Sequence, residues 1–361
     1  MYRIDSIESP DNGILQEDLD SIAAADLPYE QLRGNSILVT GATGLIGSLL
    51  VKSLLCINRT NHLDLHVIGL VRNTEKAKEI YKDILGREDF HLVKADVTAA
   101  AAGHLNAVIP EQIDYLFHCA AVTTSKLMVE KPVETIDAAI IGTKNMLELA
   151  RLSGCKGFVY ISSMEVYGSV DSPKVTEDQL GYIDVLRVRS NYPETKRMCE
   201  NMCIAYMAEY GIPVKIARLA QTFGAGILPW ENRVFAQFAR AAMTGTDIVL
   251  HTKGLSEGNY CYTADCMRGL LMILLQGKAG EAYNVVNEET HTTIADMARM
   301  VAEEITNGRI QVRFDIPETN TFGYAADTHL KLSGAKLMSL GWEPQYGLRE
   351  AYERLILFMQ D

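Results

Sequence analysis

The sequence predicts an α/β fold: a doubly wound parallel sheet followed by a smaller C-terminal lobe. Three observations predict it. From Ser36 onward, short apolar runs alternate with helical patterns. The apolar runs are nearly continuous instead of alternating with polar residues. After about Ala220 the alternation breaks down, and glycines and aromatic residues become frequent. Continuous apolar strands separated by helices belong to parallel sheets covered on both faces. Such sheets bind their ligands at the carboxyl ends of the strands.

The elements follow in order. Residues 1–34 read as a helical arm, because Ile14, Leu15, Leu19 and Ile22 recur at helical spacing and Pro28 closes the segment. The arm is expected on the outside of the domain or across a subunit contact. Residues 35–220 form the large domain, with strands expected at 37–40, 67–71, 91–94, 115–118, 158–161 and 214–218. Helices fit at 46–56, 133–152 and 193–210. Residues 221–361 form the smaller lobe, with irregular stretches at 222–265 and 310–344. One helix, 263–276, is expected to start at a cap on Thr263 or Asp265 and to pack back on the large domain.

Bulk properties narrow the function. Of 361 residues, 48% are apolar and 22% charged, the mix of a globular chain with a real core. A net charge of −12 with no Lys/Arg cluster argues against nucleic acid. The densest apolar run, 269–275, is too short to span a bilayer, so no membrane partner is expected. The opening MYRIDSIESPDNG has no basic start and apolar run of a signal peptide, which suggests the cytoplasm. There are seven cysteines and no C-x-x-C pair. Cys199 and Cys203 share a helical face without completing a metal set, so they read as reduced core thiols, and no metal site is expected.

The first strand runs into ILVTGATGLIG, which sets Gly41, Gly44 and Gly47 between a strand and an amphipathic helix. A glycine turn there brings backbone close to a pyrophosphate, and the helix N-terminus offers unpaired N–H groups with partial positive charge. This is the dinucleotide-binding turn of a Rossmann domain. Gly41, Thr43, Gly44, Leu45, Ile46 and Gly47 are the expected cofactor contacts.

The G-x-x-G-x-x-G spacing resembles the short-chain dehydrogenase/reductase superfamily, in its extended branch of nucleotide-sugar epimerases and dehydratases. Further matches carry the resemblance along the chain from Ser36. They are Asp96-Val97 after the third strand, His118-Cys119-Ala120-Ala121, Ser162-Ser163-Met164-Glu165-Val166-Tyr167-Gly168, Tyr192-Pro193-Glu194-Thr195-Lys196, and Leu340-Gly341-Trp342-Glu343-Pro344. The resemblance implies NAD or NADP as cofactor, with Asp96 and Val97 near the adenine and Cys119, Ala120 and Ala121 beneath the dinucleotide. It also implies a homodimer in which the 133–152 and 193–210 helices pair across a two-fold axis, through a stripe that includes Met198, Cys199, Met202, Cys203 and Ala205. Family members that use NAD carry an Asp at the end of the second strand. Here Arg72 stands there and suits a 2′-phosphate, so NADP is modestly favoured.

By the same resemblance, Tyr192 exchanges a proton with a sugar hydroxyl while hydride moves to or from the nicotinamide. Lys196, one helical turn on, holds the nicotinamide ribose. A nearby ammonium and an oxidised nicotinamide are expected to lower the phenol's pKa. Ser163 bonds the reacting oxygen or caps its strand. Sugar dehydratases carry Asp–Glu after this Ser/Thr, and simple 4-epimerases carry no carboxylate. Here Met164 replaces the acid and Glu165 keeps the place of the base. With R-S-N-Y-P-E-T-K-R around Tyr192, the pattern looks most like the UDP-glucuronate decarboxylases. Thr123, Ser163, Gln221 and Arg233 are the expected substrate contacts.

The substrate side departs from that family. Its diphosphate-gripping arginine falls on Gly258, and the arginine before L-G-W-E-P has no counterpart in 326–332. Gln221 replaces an Asn, Ala225-Gly226 replaces Pro-Arg, and Ala139 replaces a cofactor-side Asn. Three functions are compatible with these residues. One is modification of a nucleotide-activated sugar through a transient 4-keto intermediate; another is an NADPH-dependent carbonyl reductase; the third is a non-catalytic dinucleotide-sensing protein.

Overall fold

The structure, a computed structural model, describes residues 6–98, 105, 109, 112–317 and 327–361. Its centre is a seven-stranded sheet in which every neighbouring pair is parallel. The strands are β1 (Ser36–Thr40), β2 (His66–Val71), β3 (Phe90–Lys94), β4 (Tyr115–His118), β5 (Gly157–Ser163), β6 (Val214–Leu219) and β7 (Ala282–Val285). Their spatial order is β3-β2-β1-β4-β5-β6-β7. Strand order therefore reverses between β1 and β4, and the crevice above their carboxyl ends is the expected ligand position.

The six expected strands are present and extend by at most two residues at an end. The seventh, β7, comes from the stretch read as the smaller lobe and pairs with β6 from Ala282↔Ile216 to Val285↔Leu219. Two helix layers cover the sheet. On one face lie α2 (Leu45–Asn61) and the long α8 (Thr263–Gln276), with α1 (Gly13–Ala23) packed on both. On the other face lie α5 (Pro132–Ser153) and α6 (Asn191–Tyr210). Short helices α3 (Thr74–Ile80) and α4 (Ser125–Glu130) complete the large domain. Pro132 opens α5 where a missing N–H costs nothing, and Gly154 closes it in the left-handed conformation.

The helix of the arm, α1, packs on α2 and α8, and its Leu15, Leu19 and Ile22 are fully or almost fully buried in the core they share. The arm's polar anchor is Glu8, which has no exposed surface and accepts bonds from Arg59 (Nε 3.1 Å, Nη2 2.9 Å) and from Arg87 (Nη1 2.7 Å). Two expectations need correction. Neither Thr263 nor Asp265 caps α8. The cap position is Tyr262, while Thr263 Oγ1 donates to Ala225 O at 2.9 Å. The Asp265 carboxylate instead accepts the amides of Gln345 (2.9 Å) and Tyr346 (3.1 Å), which docks the segment after L-G-W-E-P onto α8. The 222–265 stretch is less irregular than expected. It holds α7 (Val234–Thr244), which buries Phe235, Phe238 and Ala239, and the short strands Ile248–Leu250, Glu257–Gly258 and Tyr260–Tyr262. Of the 310–344 stretch, residues 318–326 lie outside the described residues. The chain ends on α9 (Ile294–Met300), α10 (Ala335–Met338) and α11 (Leu348–Gln360).

Candidate active site

The turn after β1 gives its three glycines three different jobs. Gly41 has φ +62°, and a Cβ there would lie 2.8 Å from the backbone of Ala120. Gly47 sits on the same turn, with a Cβ only 2.4 Å from Gly41 O. Gly44 has negative φ (−86°), and a Cβ there would lie 3.3 Å from Gly41 O, a tight contact but a milder one than at Gly41 or Gly47. Gly44 is also the N-cap of α2 and supplies no side-chain bond to the first turn, whereas Asn12 and Asn73 cap α1 and α3. The first N–H groups of α2, around Leu45 and Ile46, thus remain for an anion, and Thr43 lies in the turn just before them. Residues 41–47 therefore fit a dinucleotide pyrophosphate.

β4 locks the opposite wall of the crevice. Thr40 Oγ1 accepts the amides of Cys119 and Ala120, both at 3.2 Å, so its own proton goes to His118 Nδ1 at 2.8 Å. His118 then carries its proton on Nε2, 3.2 Å from Thr143 Oγ1 on α5. Burial, with the Lys196 charge adding to it, pulls this imidazole down to about 3 and keeps it neutral. The H-C-A-A turn is thereby fixed from three sides, and Ala121 follows half-buried. Cys119 is half-buried, and burial pushes its thiol up.

At the adenine end, Arg72 lies at the exit of β2 with its side chain 71% exposed and 3.8 Å from Asp96. Asp96 accepts the amide (2.8 Å) and hydroxyl (2.7 Å) of Thr98, so the loop after β3 is braced. Val97 is buried against Gly142 of α5, and its carbonyl accepts Asn145 Nδ2 at 2.8 Å.

The candidate catalytic side chains converge at the end of β5. Ser163 Oγ accepts the Glu165 amide at 3.2 Å, so the capping role is real, and the same hydroxyl acts on Tyr192 through a hydrogen bond. Tyr192 opens α6 and is 9% exposed. Lys196 is buried one turn on and donates to Ile161 O at 2.6 Å, with its Nζ 5.8 Å from the Tyr192 ring centre. Among the protein's own groups, burial, reinforced by the Glu165 charge, pushes the phenol up to about 12 and outweighs Ser163, Arg189 and Arg233, which pull it down. The Lys196 ammonium is itself disfavoured by burial and is turned to a backbone carbonyl. An oxidised nicotinamide, when bound, supplies the missing positive charge and accepts hydride.

Arg189 is the site residue that sequence reasoning missed. Its Nη2 lies 2.9 Å from Glu165 Oε1, and its guanidinium carbon is 5.6 Å from the Tyr192 ring centre. The residue stood inside the quoted R-S-N-Y-P-E-T-K-R motif, but nothing in the spacing pairs it with Glu165. On the substrate side, Arg233 is gripped by Glu231 (Nε–Oε1 3.0 Å, Nη2–Oε2 2.7 Å) yet still acts on Tyr192. Gln221 is half-buried at the start of the short strand Gln221–Phe223, and Thr123 is exposed in the loop after β4. Gly258 has nothing closer than 4.0 Å around a built Cβ, so no packing constraint forces glycine there. Gly226 is different: with φ +90° and a Cβ 2.5 Å from the Leu49 side chain, its loop is drawn onto α2.

Residues 37–286 match the NAD dependent epimerase/dehydratase family. UDP-glucuronic acid decarboxylase 6 of Arabidopsis thaliana is 32% identical over 314 residues, covering 87% of this chain and 85% of that protein. UDP-glucuronic acid decarboxylase 1 of Danio rerio is 29% identical over 324 residues, 89% and 72% of the two chains. Among solved structures, an epimerase from Methanothermobacter thermautotrophicus superposes with a TM-score of 0.76 at 25% identity, covering 96% of both chains. A UDP-glucuronic acid 4-epimerase from Bacillus cereus, solved with UDP-glucuronic acid and NAD, gives 0.73 at 24% identity over 90% of this chain and 99% of that one. On the match over residues 37–286, the chain belongs to the NAD-dependent epimerase/dehydratase family.

Proposed function

We propose that the protein uses NAD to modify a nucleotide-activated sugar through a transient 4-keto intermediate, with a UDP-uronic acid as the first substrate to test. The observation that carries this reading is the placement of Glu165 beside Tyr192 in a site that lacks the dehydratase acid at Met164. Tyr192 takes the proton of the C4 hydroxyl as hydride leaves the same carbon, Ser163 holds that oxygen, and Lys196 orients the cofactor ribose. Once C4 is a ketone, the C5 proton is acidic, and Glu165 is placed to remove it. That removal is reversible; in the productive step a uronic acid that still carries its C5 proton loses its carboxylate as carbon dioxide, the C5–C6 electron pair passes to the C4 oxygen as an enolate, and C5 takes a second proton from solvent by way of Glu165 to restore the ketone. Return of hydride and the Tyr192 proton then restores the C4 hydroxyl.

The test is an NMR assay in heavy water with NAD and UDP-glucuronic acid. Wild type should convert the sugar with no net change in cofactor and incorporate deuterium at C5. Glu165→Gln should still form reduced cofactor but lose the exchange, and Tyr192→Phe should lose turnover. Exchange that survives intact in Glu165→Gln would remove the base assignment. A second reading, a carbonyl reductase using NADPH, is favoured by the exposed Arg72 and by Gly258 in place of a diphosphate arginine. Steady NADPH consumption with a carbonyl substrate would establish it.

A homodimer is part of the proposal. Val133, Ile136, Ile141 and Leu152 of α5 and Met198 and Tyr210 of α6 are exposed. Cys199 and Cys203, read as part of the pairing stripe, instead face the core of their own chain. All seven cysteines are free, which suits a reducing compartment such as the cytoplasm. No described helix is long and apolar enough to cross a membrane.

A further inference from the structure

Glu165 and Tyr192 pose an electrostatic problem to each other. The proposed reaction needs a carboxylate and, at the moment of oxidation, a phenolate within one partly desolvated site. The charge of Glu165 opposes ionisation of the phenol, and only burial opposes it more. The groups around Tyr192 come from every element packed on it. Glu165 belongs to the 3-10 turn Met164–Tyr167, and Ser163 and Tyr160 to β5. Lys196 and Glu200 lie on α6 itself, Arg189 on the turn that leads into α6, and Arg233 just before α7. His118 on β4 stays neutral.

Most of these charges are already committed. Glu200 is held by Arg218 (Nη2–Oε2 2.7 Å) and accepts from Ser162 (2.5 Å). Arg233 is held on two edges by Glu231. Lys196 is directed to Ile161 O. Arg189 differs because it contacts Glu165 at 2.9 Å and also overlies the Tyr192 ring at 5.6 Å. Its side chain and that of Glu165 are each about one-third exposed, 34% and 36%.

The turn carrying Arg189 is braced on both sides. Ser190 Oγ donates to Asp184 O at 2.6 Å, and Asn191 Nδ2 donates to Met128 O at 2.6 Å. Arg189 is three residues from Tyr192, so the guanidinium and the phenol share one short, fixed piece of backbone.

We infer that Arg189 is a positioning residue: it holds the Glu165 carboxylate and screens it from Tyr192, so that base and phenolate can be negative in the same site. The inference rests on the proposed roles of Glu165 and Tyr192, but it concerns the protein's own charges and needs no substrate to test. Without Arg189 the carboxylate is free to swing and its charge reaches the phenol unscreened. Lysine at 189 keeps the charge while giving up the planar fork.

The experiment places 3-fluorotyrosine at position 192 of the full-length chain and follows its ionisation by fluorine NMR with NAD present. Fluorination brings the phenol's titration into a range where the fold survives. Arg189→Met should raise the midpoint by about one pH unit, and Arg189→Lys should recover at least half of that rise. In a Glu165→Gln background, Arg189→Met should shift the midpoint by less than half as much. The inference fails if Arg189→Met leaves the midpoint within 0.2 unit, or if the shift is equally large with and without Glu165. Circular dichroism on each variant separates a loss of fold from a loss of screening, and the lysine variant gives the answer if the methionine one does not fold. A protein inactive on UDP-uronic acids would refute the proposed substrate and leave this titration unaffected.

Discussion

Replacing each glycine of the phosphate turn by alanine should give two distinguishable kinds of failure. At Gly47 the new Cβ meets Gly41 O at 2.4 Å, and the two backbone segments must part by more than half an ångström. Overpacking of that kind costs about 1–3 kcal/mol. At Gly41 a left-handed backbone adds about 1–2 kcal/mol to a clash with Ala120. Gly47→Ala should therefore lose about 1–3 kcal/mol of stability and Gly41→Ala about 2–5 kcal/mol before any cofactor is added. Gly44→Ala should behave differently. Its φ is negative and its contact with Gly41 O, at 3.3 Å, asks the turn to give by only a few tenths of an ångström, so apo stability should fall by less than at either neighbour, about 1 kcal/mol or less. Its methyl group instead occupies the surface where a pyrophosphate approaches the helix N-terminus. NAD should bind at least tenfold more weakly, a loss of about 1.4 kcal/mol. Urea denaturation of the cofactor-free variants and calorimetric titration with NAD measure the two effects separately. A Gly47→Ala protein as stable as wild type, or a Gly44→Ala protein that binds NAD normally, would refute this division of roles.

Three further outcomes follow from the packing and charges. Leu19→Ala, at a fully buried site between α1 and the main core, should cost about 2–5 kcal/mol in chemical denaturation, where an external arm would cost almost nothing. His118 titrates near 3 in the folded chain and near 6.5 unfolded, so the unfolded state binds the extra proton between those values. Its contribution is complete above pH 6.5 and should fall by about 1.4 kcal/mol per unit as the pH drops through that window. A His118→Gln variant whose stability keeps the same acid slope would contradict this. Arg72→Ala should weaken NADP binding several-fold and leave NAD within about twofold, read by parallel titrations; equal effects on both would make Arg72 a general contact.

The large domain was legible because parallel strands are buried on both faces and so appear as unbroken runs such as ILVT and HVIGLV, all but the first residue of the second buried. The seventh strand, Ala-Tyr-Asn-Val, was not. Its Asn284 is fully buried, but it is satisfied by Ser333 O (2.9 Å) and the Tyr167 hydroxyl (2.5 Å), partners far away in sequence. The helical arm could be seen from the spacing of Leu15, Leu19 and Ile22, but periodicity says that a face is buried and not what covers it. At the site, fixed spacing identified Tyr192, Lys196 and Ser163, whose roles follow from position along one strand and one helix. Arg189 escaped because its role depends on a contact with Glu165, twenty-four residues earlier.

The arm has a consequence for cooperativity. Asp18 of α1 accepts from Arg354 of α11 (2.7 Å) and from Tyr262 ahead of α8 (2.6 Å), and Asn12 Nδ2 donates to Phe358 O (2.9 Å). The apolar face of α1 lies meanwhile on α2, the helix that carries the phosphate turn. One short helix is thus built into the nucleotide-binding and C-terminal parts together. Neither part can melt without breaking the same contacts, so heating should give a single transition for the whole chain. Cofactor binding at the turn should raise the melting point of α11 as much as that of α2.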